Sequence, residues 1–136
     1  MAAQKGRDLL LKLEDGSGGF ATVAGIRSQR IALNAETVDV TSAESVGRWR
    51  ELLDGSGMRR AAISGSGVFK DAASDALIRQ AFFEGAVRAF QVIVPDFGRI
   101  EGPFQVTALE YRADHAGEVT FDIALESAGA LSFTAA

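Results

Sequence analysis

Apolar and polar residues alternate through most of this chain, and the points where the alternation changes phase or stops divide it into elements. Leu9, Leu11 and Leu13 fall on one side of an extended segment, and Asp8, Leu10, Lys12 and Glu14 on the other, the pattern of a half-buried strand. Residues 15–19, Asp-Gly-Ser-Gly-Gly, form a turn, and a short strand follows through Phe20-Ala21-Thr22-Val23. Residues 27–33 alternate again, with Ile31 and Leu33 opposed to Arg30 and Ala32, and Val38 and Val40 face away from Thr37, Asp39 and Thr41. Residues 60–70 read as a strand with Ile63, Gly65, Gly67 and Phe69 on one face. Two alternate glycines leave a gap in that face, which invites close packing by another element; the expected occupant is the helix that comes next.

That helix spans residues 73–85. Leu77, Ile78, Ala81 and Phe82 make its apolar stripe, Asp71 or Ser74 is placed to cap it, and Gly85 to stop it. Three strands follow, over residues 88–95, 99–112 and 118–126. In the second, Phe104 and Val106 share one phase and Leu109 and Tyr111 the other, a slip near Thr107-Ala108 that marks a bulge or bend. The third is the cleanest, with Val119, Phe121, Ile123 and Leu125 inward and Thr120, Asp122, Ala124 and Glu126 outward. A corner at Ser127-Ala128-Gly129 leads to a closing strand at Leu131-Ser132-Phe133. Clean alternation means antiparallel strands with one wet face. The expected fold is mainly β: a two-sheet antiparallel β-sandwich or partial barrel with one flanking α-helix, built from residues 1–136 as a single domain.

Residues 41–59, TSAESVGRWRELLDGSGMR, break the pattern. A short helix fits there, because Val46, Trp49, Leu52 and Leu53 share a helical face. A polar connection of this length inside a small domain is uncommon and usually functional. Trp49, the only tryptophan, has two readings. It is either local core beneath its own loop, or an interface anchor flanked by Arg48 and Arg50, since Trp and Arg dominate interface hot spots.

Composition narrows the chemistry. The chain has no cysteine, which removes disulfide frameworks, zinc-thiolate sites and thiol catalysis. Its 18 acidic and 14 basic residues give a net charge of −4, and the basic ones are dispersed, unlike the clustered face of a nucleic-acid binder. No apolar run suits a bilayer, and Asp8 and Lys12 interrupt the N-terminal stretch where a signal peptide would need an apolar core. The single histidine, His115, sits beside Asp114 in a turn, where nothing supplies the positioned third group of a triad. The Gly-Ser-Gly runs at 16–18, 55–57 and 65–67 lack phosphate-loop or dinucleotide spacing. Asp122 and Glu126 could pass for a glycosidase pair, but a wet strand face explains them at less cost. No catalytic residue, cofactor or metal ligand is expected.

Several segments in order carry a resemblance: Val38-Asp39-Val40-Thr41-Ser42, Trp49-Arg50-Glu51-Leu52, residues 63–69, the helix at 77–83, Gly102-Pro103-Phe104-Gln105-Val106, and residues 121–129. From about Gly6 to Phe133 the chain resembles the major tail (tail tube) proteins of long-tailed bacteriophages, in the compact version found in phage-like gene transfer agents. One departure is Ala43-Glu44, where relatives often carry basic or amide residues. The resemblance implies a structural protein, not an enzyme. It implies stacked hexameric rings with a continuous inner β-barrel, a conduit for double-stranded DNA, and a place in a virion or gene transfer agent tail assembled in the host cytoplasm. The partners it implies are further copies of the chain and the tail terminator, distal tail and tape-measure proteins, with no membrane. The loop at 41–58 would join rings, with Asp39, Thr41, Ser42, Glu44, Arg48, Trp49 and Arg50 as interface candidates. Ser64, Ser66, Asp122 and Glu126 are candidates for the channel wall. An inner-tube protein of a contractile or type VI secretion-like system, or a monomeric β-sandwich binding module, is the alternative.

Overall fold

The computed structural model describes residues 9–55, 57–113, 115 and 117–135. Asp8 of the first strand, Ser56 of the second Gly-Ser-Gly run, and Asp114 and Ala116 beside His115 lie outside the described residues, as does the start of the resemblance at Gly6.

The strands are β1 (Leu10–Glu14), β2 (Phe20–Thr22), β3 (Ile26–Ala35), β4 (Arg59–Val68), β5 (Val87–Val94), β6 (Gly98–Ala113), β7 (Val119–Ser127) and β8 (Ser132–Ala135), with one helix, α1 (Ala73–Glu84), between β4 and β5. All pairings are antiparallel. The expected two layers arise from one hydrogen-bonded path, β2-β1-β5-β6-β7-β4-β3, with β8 also on β6. The long strand β6 belongs to both layers. Its first part pairs with β5 through Gln105 and with β8 through Glu101, and from Phe104 onward it pairs with β7. The register shifts between Val106 and Ala108, where the sequence phase slips. This bulge lets one strand turn from the β2-β1-β5-β8 half into the β7-β4-β3 half.

Both halves feed one core. Leu11, Leu13, Phe90 and Val92 come from the first half, and Ile63, Phe121, Ile123 and Leu125 from the second; Phe104 and Val106 come from the shared strand. Phe90 and Phe104 meet edge to face at 6.1 Å, and each fully buried ring contributes about 1.5–3 kcal/mol. Ile78 and Ala81 of α1 join this core. Gly85 ends the helix in the left-handed region, φ 62°. The N-cap is Ala72, with the Asp75 carboxylate accepting from its N–H at 2.9 Å. Neither expected cap acts as one: Asp71 precedes the helix at φ 52°, and the Ser74 hydroxyl accepts from Ala24 N–H.

The gap at Gly65 and Gly67 is real, but α1 does not fill it; α1 packs on β6 and β1. The backbone entering β3 comes so close that a Cβ on Gly67 would lie 2.1 Å from the Gly25 carbonyl oxygen. A bulge in β3 between Ile26 and Ser28 marks the same spot.

Candidate assembly surfaces

Residues 36–58 extend the β3–β4 hairpin as an arm, zipped by its own backbone. Glu36 N–H donates to Met58 O, Leu53 N–H to Val38 O, and Val40 N–H to Glu51 O, around a bridge between Asp39 and Leu52. The only helical element in the described part is a single 3-10 turn at Val46–Arg48. The expected helical face of Val46, Trp49, Leu52 and Leu53 does not form, because Gly47 and Arg48 take positive φ of 65° and 62° and an α-helix cannot pass through them.

Three of the interface candidates converge on one another. The Asp39 carboxylate accepts from Thr41 N–H at 2.8 Å and lies 3.5 Å from Arg50 Nε. The Thr41 hydroxyl accepts from Glu51 N–H at 2.7 Å. Hydrogen bonding from the Thr41 side chain and its N–H, with Arg50 close by, holds the Asp39 carboxyl below the usual aspartate value. Ser42 and Glu44 form the tip turn: Glu44 N–H donates to the Ser42 hydroxyl, and Ser42 N–H to the Ser45 hydroxyl. Ser45, which the sequence pattern does not single out, is the buried pin of this turn. Glu51, which the sequence reading does not place at the interface, pairs through its backbone with Val40 and Thr41; the Trp-Arg-Glu-Leu-Leu run around it does not alternate, so no pattern marks it.

Trp49 is 77 % exposed, so it is not local core. Its indole lies against the Gly47 backbone, 3.0 Å from where a Cβ would stand. Val38, Val40, Val46, Leu52, Leu53 and Met58 are exposed along the same arm. Together with Trp49 they make seven exposed large apolar side chains on one arm, more than scattered single surface residues account for.

The four channel candidates share the outer face of the β3–β4–β7–β6 half. Ser64 lies opposite Arg30 on one side and Ala124 on the other, and Ser66 opposite Ser28 and Asp122. Glu110 and Arg112 of β6 continue the row. Ser64, Ser66 and Asp122 help to line a shallow concavity of about 520 Å³; Glu126 shares their strand face at the end near the arm, opposite Ala62, outside that hollow. Arg112 bridges Asp122 and Glu110, so its charge is spent on the two carboxylates beside it.

This half has two open margins. Among the described residues, β3 pairs only with β4, and on the side where β5 ends at Gln105 nothing pairs with the rest of β6. Unpaired strand edges of this length are templates for another chain. His115 is exposed in its turn, no group of acids, histidines or cysteines among the described residues could hold a metal ion, and no described helix is long and apolar enough to cross a membrane.

An edge-exposed antiparallel β domain carrying an apolar arm defines a class: a structural subunit built to polymerise with other chains. Residues 3–133 match the family model for phage tail tube protein, so the chain belongs to the phage tail tube family and is a structural tail tube component. It is similar to a chain in the tail of an empty gene transfer agent particle refined with helical, C6 symmetry, at 60% identity, TM-score 0.93, and coverage of 98% of this chain and 100% of that one. It is similar also to a chain of the native gene transfer agent virion, at 59% identity, TM-score 0.91 and the same coverage. The SPP1 tail tube subunit shares the fold at 17% identity, TM-score 0.75, with 97% of this chain and 79% of that one covered. None of the curated proteins matches.

Proposed function

We propose that this chain forms stacked hexameric rings in the tail of a gene transfer agent or phage, with the β3–β4–β7–β6 half around the channel and double-stranded DNA as the cargo. The observation that carries the reading is the pair of open margins on that half. Its four strands alternate in direction, so β6 of one copy meets β3 of the next antiparallel, and the ladder continues around the ring without a fault. The contact is heterologous, which closes into a ring when the rotation per copy divides the circle. The C6 symmetry of the tail holding the 60% identical relative supports six copies.

The outer face of that half then becomes the wall. Its small hydroxyls suit passage of a polyanion, and the Asp122 and Glu110 carboxylates balance the charges of Arg112 and Arg30 on that face, because a wall of net positive charge would bind phosphate at every subunit. The arm, with Asp39, Thr41, Ser42, Glu44, Arg48, Trp49 and Arg50, reaches the adjacent ring. The ends of the stack meet tail terminator, distal tail and tape-measure proteins, and the chain carries no enzymatic activity of its own. Negative-stain microscopy of the concentrated protein is the test. Tubes with a six-fold end view are expected; a dispersed monomer at every concentration overturns the reading.

A further inference from the structure

The four strands of the channel half have two unlike ends. At one end, Ala35 pairs with Arg59 and the arm departs. At the other, Val68 pairs with Thr120 and Ala113 with Val119, and there a pocket of about 340 Å³ opens between α1 and the sheet. Phe69, Tyr111 and Val119 form its apolar wall, and Ala76 of α1 its floor. Phe69 and Tyr111 stand edge to face at 5.7 Å, and Tyr111 and Val119 remain 44 % and 39 % exposed. Asp71 and Asp75 border the pocket along with Arg79, so the lining holds one net negative charge.

We infer that this pocket receives Trp49 from the arm of a second copy of the chain in the adjacent ring. The inference rests on the arm being the connector between rings, and adds its receptor. One consequence of the proposed stacking and two features of the structure support the match. Rings of one polarity place the arm end of each copy against the opposite end of the next, where the pocket lies. The arm tip offers an exposed indole held outward by the left-handed Gly47-Arg48 pair, and the pocket offers it the wall made by the touching Phe69 and Tyr111 rings, against which a third ring packs in offset or edge-on contact. Arg48 and Arg50 flank the indole, facing a rim that carries the exposed Asp71 carboxylate, while Arg79 can lie on the ring face.

The test uses the absence of cysteine from the chain. The Arg50→Cys/Ala76→Cys double variant, assembled into tubes and oxidised, should give a ladder of covalent multimers on a denaturing gel. The Arg50→Cys/Phe83→Cys pair, with its second thiol at the far end of α1, should give none. Ala76→Trp fills the pocket from an exposed helix position, and should raise the critical concentration for tube formation on the order of tenfold with the monomer's circular dichroism unchanged. Added to Trp49→Ala, it should have little further effect. Tubes that link through Phe83, or through neither pair, overturn the pocket and leave the arm's role standing. Normal tube yield from Trp49→Ala overturns the arm's role itself.

Discussion

Asp39 shows how a single exposed side chain can organise a surface. Its carboxylate links Thr41 and Arg50 across the arm, and its pKa lies below the usual 3.8 through hydrogen bonding from the Thr41 side chain and N–H, with Arg50 adding charge. A depressed folded value means that the contact is fully present above the unfolded value, and is lost as pH falls through the folded one. Trp49 is the only tryptophan and reports from the arm tip. Its fluorescence should hold steady from neutral pH down to roughly pH 5, then change below 3.8, with circular dichroism following the sheet separately. Asp39→Asn should flatten that acid transition. A fluorescence transition centred above the ordinary aspartate value would assign the change to another group.

At the scale of elements, the arm is the part that can be removed. Glu36 and Met58 already bring its ends together through a backbone hydrogen bond, and its side chains contribute nothing to the core cluster. Replacing residues 37–57 by a two-residue Asn-Gly turn should leave β3 and β4 paired, with thermal stability within about 1 kcal/mol of the parent. Rings should still close, but should no longer stack into tubes by electron microscopy. Full-length tubes from the shortened chain would remove the arm from the contact between rings. The arm also shows where the sequence was legible and where it was not. The strands were visible because one buried face imposes a period of two, and the bulge in β6 because it flips that period. The phase slip at Thr107-Ala108 thus located the joint between the layers. The arm has no buried face, so beyond Val38 and Val40 its apolar residues carry no period of two, and a helix and an irregular hairpin fit Val46, Trp49, Leu52 and Leu53 equally well until the backbone of Gly47 and Arg48 is known. The glycine gap was legible as a gap; its occupant was not, because Gly25 has no side chain to reveal that its backbone comes close.

For the whole molecule, the division into two halves separates two tasks. The half made by β2, β1, β5 and β8 with the start of β6 closes the core from behind, while the other half keeps both margins and one face free. On that free face, charge decides what passes. Ser64 and Ser66 are half-buried in the middle strand of the wall, away from both open margins and from the arm, so lysine at both positions should leave assembly intact while adding a belt of cations to each ring. Every additional phosphate neutralised steepens the fall of log K with log salt by about 0.9. Parent tubes assembled with short duplex DNA should therefore release it freely. Tubes of the Ser64→Lys/Ser66→Lys variant should retain it at low salt in a nuclease-protected form, and lose it as salt rises. Protection distinguishes the interior from the outside, since DNA held on the outer surface stays open to digestion. If well-formed variant tubes held DNA only in a digestible form, or not at all, the face bearing Ser64, Ser66 and Asp122 would not be the channel wall, and the conduit would have to be formed by the β2–β1–β5–β8 side instead.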